Sequence, residues 1–143
     1  MSRHGAGFTL IELIVVVAVV GILGGLVYPA YSDSVKRAYR SKIVVLLSEQ
    51  SQSLERFYTE KGLYSGAQNL GSGNDQYLII HDLADHAFLL TATRREGSSM
   101  AGDACGNFSL AHTGVKAISQ AAPDLTVQQC WGCLLYTSPS PRD

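Results

Sequence analysis

Twenty-four consecutive residues, Phe8 to Tyr31, carry a single charged side chain, that of Glu12. As a helix this stretch would be about 36 Å long, enough to cross a hydrocarbon core of about 30 Å. Its many Val and Ile residues would favour a strand in water. In lipid, a spanning segment must satisfy its own backbone groups, so a helix wins there. Arg3 and His4 precede the stretch, and Lys36, Arg37, Arg40 and Lys42 follow it, so charge gives no clean orientation.

The rest of the composition narrows the class. The chain has 143 residues, room for one modest domain and one long extra element. Charged residues make up 16% and apolar residues 46%, which excludes a plain cytosolic globule and equally a disordered chain. A formal net charge of −1 argues against a generic nucleic-acid binder, whose phosphate contacts call for a basic surface.

An ordinary secretory signal peptide is the simplest alternative for the apolar stretch. Such a segment has an apolar core of about 7–15 residues and small residues at its cleavage site. Here the stretch is longer and ends Leu26-Val27-Tyr28-Pro29-Ala30, with bulky Tyr28 in the way. It also contains a carboxylate. A lone acid in a membrane helix costs about 2.5–3.5 kcal/mol even on lenient insertion scales, which marks Glu12 as a functional residue. Lying near one end, it can reach the interface until a positive partner neutralises it.

Gly7-Phe8-Thr9-Leu10-Ile11-Glu12-Leu13 resembles the type III signal sequence of type IV prepilins: a short basic leader ending in Gly, then Phe, then Thr-Leu-Ile-Glu. The resemblance implies that a prepilin peptidase cuts between Gly7 and Phe8 and methylates the new amino group of Phe8. Glu12 would then pair with the terminal amine of a neighbouring subunit, through which Phe8 and Glu12 direct assembly. Satisfying two costly charges at once sets the axial register between helices more than it adds net stability. Gly21 and Pro29 sit where pilins carry helix breakers, and Gly24 and Gly25 add to them. The resemblance implies that the stretch between the breakers can unwind in a filament.

From Ser32 to Lys61 there is no Pro or Gly, and Val35, Tyr39, Ile43, Leu46 or Leu47, Leu54 and Phe57 recur mostly at spacings of three and four. This predicts an amphipathic helix continuing the first, with Gln50 breaking its stripe and Gly62 ending it. Leu54 to Tyr64 resembles the corresponding passage in pilins of the PilE kind. A Gly-, Ser- and Asn-rich loop from Tyr64 to Gln76 follows. Strands are expected at Tyr77–Ile80, Phe88–Thr93, Asn107–Leu110 and Val115–Ser119, the last two joined by a turn at Ala111–Gly114. One long helix on a small antiparallel sheet is an α+β arrangement. It matches the pilin fold, with a leader at 1–7, an assembly helix at 8–31, an amphipathic helix at 32–61 and a globular head at 62–132.

The last eleven residues, Cys133 to Asp143, have no periodicity and resemble the conceptual translation of a sequencing adapter. They are set aside as a non-native tail. All three cysteines lie at or after Cys105, which suggests one disulfide, a leftover thiol and an oxidising compartment. Without the tail, Cys105 and Cys130 remain. Asp103-Ala104-Cys105-Gly106 and the Cys130-Trp131 ending resemble the C-terminal disulfide region of minor pilins, which implies that these two are bonded. Cys130-Trp131-Gly132-Cys133 also spells a CxxC, but its second cysteine falls in the tail.

Two other constellations invite a functional reading. His81-Asp82-Leu83-Ala84-Asp85-His86 could suggest a metal, but the two imidazoles diverge on a strand or a helix and lack further ligands, so a polar connection between strands is expected, with no metal and no cofactor. Arg94-Arg95 is a basic pair, short of the basic stripe with aromatic neighbours that DNA capture needs. Between residues 8 and 132, nine basic residues face eleven acidic ones. No nucleophile–base arrangement or phosphate loop stands out, so no enzyme is expected.

The resemblance implies a structural subunit, most simply a minor one, of a type IV pilus serving adhesion, twitching motility or DNA uptake. Its partners would be other pilin subunits, the prepilin peptidase and the pilus assembly machinery. It would sit in the inner membrane of a Gram-negative bacterium with its head in the periplasm, then in the extracellular pilus. The alternatives are a pseudopilin of a type II secretion system and a pilus-borne receptor for nucleic acid.

Overall fold

A computed structural model describes residues 7–132. The leader before Gly7 and the expected tail from Cys133 onward lie outside the described residues.

Helix α1 runs without interruption from Leu10 to Lys61. Its first part belongs to a unit ending at Val35, its second to a unit beginning at Lys36. In the isolated chain the helix continues through Gly21 and Pro29, the two residues at which the resemblance implies unwinding in a filament. Proline removes one hydrogen bond and crowds the carbonyl four residues back. That residue is Gly25, which has open space around it where even a Cβ would meet nothing. The two residues therefore weaken the helix without ending it.

In the second unit, α1 buries Ile43, Leu47, Gln50 and Leu54, a stripe at spacings of three and four. Four strands follow: β1 (Tyr77–Leu83), β2 (Phe88–Arg94), β3 (Asn107–Ala111) and β4 (Lys116–Ser119). They form one sheet in sequence order, each strand antiparallel to the next. Register places Ile79 opposite Ala92, Leu90 opposite Leu110 and Phe108 opposite Ile118. Alternation turns Tyr77, Ile79, Phe88, Leu90, Ala92, Phe108 and Leu110 into the core shared with the α1 stripe. Leu78, Ile80 and Leu89 point the other way and are exposed.

β1 is three residues longer than the sequence suggests. His81, Asp82 and Leu83 belong to it, and only Ala84–Ala87 forms the turn, closed by the Ala84 N–H to the Ala87 carbonyl at 2.8 Å. The polar character of His81-Asp82 masked a strand because the Tyr77 face continues inward through His81. At the other end of the sheet, Gly106 has φ +67 just before β3. A side chain there would be driven into the Ser119 carbonyl and the Gln120 backbone. Gly106→Ala should therefore lower the melting temperature of the head more than Gly102→Ala, whose Cβ meets nothing.

A short helix α2 (Val127–Trp131) closes the described chain. Its N-cap Thr126 accepts from the Gln129 N–H, while the Gln129 side chain accepts from the Thr126 N–H, a capping box. α2 presents Cys130 to Cys105, and the two are bonded. Its neighbour Trp131 is buried, stacks edge-on against Phe108 and donates its indole N–H to the Ala117 carbonyl at 3.1 Å, covering the β4 edge. The cysteines are 25 residues apart, so the chain-entropy model gives the crosslink about 3 kcal/mol. Cys105→Ala/Cys130→Ala should lower unfolding free energy by about that amount in urea titration, with a larger m-value as the unfolded chain expands.

Candidate functional site

The N-terminus of α1 begins with Thr9 and Glu12. The Glu12 backbone N–H donates to Thr9 Oγ1 at 3.2 Å, and the Thr9 backbone N–H donates to Glu12 Oε2 at 3.1 Å. This is the reciprocal capping box of a Ser/Thr-x-x-Glu/Gln sequence, and it satisfies two donors that a helix start would leave open. The Glu12 carboxylate is thus folded back over the first turn, near the positive end of the helix dipole. Gly7 and Phe8 lie just outside the helix and are exposed.

Every residue from Gly7 to Tyr31 is exposed. Phe8, Leu10, Ile11, Leu26 and Tyr28 are each more than 70% open, and the apolar surface runs all round the helix. A helix apolar on all faces belongs in lipid or inside a bundle of its own kind. Length and composition allow α1 to cross a membrane. Within that surface, Glu12 is the one charge.

The head holds a second polar centre. Arg40 of α1 forms a fork on Asp103, with Nε to Oδ2 at 2.9 Å and Nη2 to Oδ1 at 2.5 Å. Asp103 is 1% exposed and Arg40 21%. Arg94 Nη1 donates to the Asp103 carbonyl at 2.7 Å, and the Arg94 N–H donates to Asn107 Oδ1 at 3.0 Å. Helix, β2, β3 and the loop before the disulfide are therefore pinned at one point. Burial, reinforced by the Asp103 charge, pushes the Tyr77 hydroxyl well above its ordinary range.

Arg94 and Arg95 are thus partly engaged, since Arg95 Nε also donates to the Asn74 carbonyl at 2.7 Å. The two histidines of the polar tract go to different partners. His86 meets the Tyr58 hydroxyl at 3.3 Å, beside the stacked Tyr58–Tyr64 pair. His81 Nε2 donates to Gln50 Oε1 at 2.7 Å, because the Gln50 amide nitrogen is occupied donating to the Gly71 carbonyl at 2.7 Å. Gln50 therefore anchors the Gly-rich loop and β1 together.

Burial lowers the His81 pKa from its ordinary value, with a Gly71 backbone contact opposing this. The unfolded chain then takes up its proton first as pH falls below about 6.5, so stability present above that pH is lost towards the folded-state pKa. The head should melt at a lower temperature at pH about 5.5 than at about 7.5, and His81→Gln should flatten that difference.

Thr9-Leu10-Ile11-Glu12 spells its capping signature openly in the sequence. The other two centres are hidden there. Arg40 reads as one of four juxtamembrane cations, and Gln50 reads as a flaw in the apolar stripe. Nothing local links either to Asp103 or His81.

A family model described as "Type IV minor pilin ComP, DNA uptake sequence receptor" matches residues 29–109, and one described as "Prokaryotic N-terminal methylation motif" matches residues 2–28. The chain is 34% identical to the fimbrial protein EcpC of Eikenella corrodens, over 62% of each chain. It is 41% identical to the type IV major pilin protein PilE of Neisseria gonorrhoeae, over 45% of this chain and 38% of that one. The chain thus spans less than two thirds of the length of these curated relatives. A solved type IV pilin from Shewanella oneidensis superposes with a TM-score of 0.52 at 28% identity, covering 64% of this chain and 96% of that one. The minor pilin PilV of Neisseria meningitidis shares the fold, with a TM-score of 0.55 at 21% identity over 66% and 94% of the two chains. With a methylation motif on its apolar helix and a pilin head behind it, the chain belongs to the type IV minor pilin family that the ComP model describes.

Proposed function

We propose that the chain is a minor subunit of a type IV pilus, structural in role, held in the inner membrane by the Phe8–Tyr31 stretch until it is built into the filament. The observation that supports this most directly is the methylation-motif match over residues 2–28, coinciding with a helix start whose one charge is Glu12. In this reading the peptidase cuts between Gly7 and Phe8, and Phe8 becomes a methylated amine. The Glu12 carboxylate, which accepts from the Thr9 N–H in the isolated chain, meets the amine of a neighbouring subunit. Gly21 and Pro29 are weak points at which the helix opens when neighbours strain it. Cys105 and Cys130 keep the head intact outside the cytoplasm, where disulfides persist.

Mass spectrometry of sheared filaments tests this reading. A chain beginning at Phe8, with one methyl group on its amino nitrogen, is the expected result. Residues 1–7 still attached, or a soluble periplasmic form cut beyond Tyr31, would contradict it.

A second reading, that the head captures DNA, is favoured by the ComP family match over residues 29–109. Arg94 and Arg95 are its candidates, with each guanidinium retaining N–H groups beyond those its backbone bonds use. The full chain in neutral detergent should bind duplex, with a log K against log salt slope that flattens by about 1 for each phosphate no longer neutralised. Arg94→Gln/Arg95→Gln should weaken binding, and the corresponding Lys pair should retain most of it. If both pairs instead track the loss of thermal stability, the arginines serve the fold and the DNA reading fails.

A further inference from the structure

A cavity of about 400 Å³ opens between α1 and the disulfide-closed C-terminal loop. Val44, Leu125 and Trp131 form its apolar wall, and Arg37, Ser41 and Gln129 contribute polar groups. None of its lining residues is acidic, among the described residues. Arg37 is exposed and so stands at the mouth, while Trp131 is buried in the wall. A pocket of this size suits a small amphiphile rather than a protein element.

Arg37 follows Tyr31, the end of the apolar stretch, by six residues. Chain connectivity alone keeps it within about 22 Å of that end. A membrane-inserted subunit therefore carries this cationic mouth close to lipid phosphates. Lys36, the next basic side chain, adds to the local field, and basic groups at such a position attract anionic lipids. We propose that the cavity binds the headgroup and proximal chain of an anionic phospholipid while the subunit waits in the membrane. Arg37 would contact the phosphate, and Val44, Leu125 and Trp131 the first methylenes. The proposal rests on membrane insertion of residues 8–31 but not on filament assembly, so its failure would leave the pilus reading standing.

Trp131 is the chain's one tryptophan and lies in the cavity wall, so its fluorescence reports occupancy. The full chain in neutral detergent would be titrated with short-chain phosphatidylglycerol, phosphatidylcholine, glycerol phosphate and a duplex oligonucleotide. Phosphatidylglycerol should shift Trp131 emission saturably, with phosphatidylcholine and glycerol phosphate each much weaker. Arg37→Gln should raise the half-saturating concentration roughly fivefold while leaving the lipid-free spectrum unchanged. An equal response to phosphatidylcholine, an undiminished response in Arg37→Gln, or a shift with the oligonucleotide alone would overturn the proposal. So would a flat titration with phosphatidylglycerol.

Discussion

Arg40→Ala should destabilise the head by about 3–5 kcal/mol, the range for breaking a buried ion pair from one side. The reason is that Asp103 is 1% exposed and cannot turn to water once its fork is removed. Asp103→Ala should cost less, because Arg40 is 21% exposed and its long side chain can swing outward. Replacing both partners by apolar residues, as in Arg40→Met/Asp103→Leu, should recover much of the loss, since no uncompensated charge then remains. Urea unfolding followed by Trp131 fluorescence would supply the double-mutant cycle. Additive losses across the cycle would mean that the 2.5 Å and 2.9 Å contacts carry no coupling.

Glu12→Ala should leave membrane levels of the subunit unchanged or raised, because it removes the one charge in the apolar stretch. Its incorporation into sheared filaments should nevertheless fall at least about tenfold. In the proposed assembly, an incoming subunit would bring a positive amine into a bundle of apolar helices, and without the carboxylate that charge would be buried alone at a cost of several kcal/mol. Loss of the Glu12 carboxylate as acceptor for the Thr9 N–H contributes too, but such a capping bond is worth only about 1 kcal/mol. The charge effect should therefore dominate. Thr9→Ala, which keeps Glu12 and removes the hydroxyl that caps its N–H, should reduce incorporation only modestly.

Periodicity made the large elements legible. The spacing of Ile43, Leu47 and Leu54 marks the buried face of α1, and alternation marks Tyr77, Ile79, Phe88 and Leu90 as inward. Charge scarcity in the Phe8–Tyr31 stretch isolates Glu12 as the residue that needs a partner. What periodicity could not show is pairing across long stretches of chain. Arg40 and Asp103 are 63 residues apart, and Gln50 and His81 are 31 apart. Each pair joins polar residues that look individually like surface, and only folding brings them together. His81-Asp82 hid the end of β1 for a related reason: its inward imidazole is satisfied by Gln50, so a polar residue occupies a core-facing position. Pro29 lies inside α1 without ending it, because one missing hydrogen bond lowers a helix's stability without always breaking it. α2 was missed because five residues are too few to show a period, although Thr126 and Gln129 spell its cap.

The decisive measurement is the incorporation of Glu12→Gln into sheared filaments, normalised to its level in the membrane. Glutamine keeps the acceptor that the Thr9 N–H requires and so preserves the capping box, while removing the charge that would meet a neighbour's amine. If pairing of opposite charges within the apolar bundle drives assembly, Glu12→Gln should be nearly as deficient as Glu12→Ala. Filaments containing Glu12→Gln at the level of the unsubstituted chain would show that Glu12 serves only to cap its own helix.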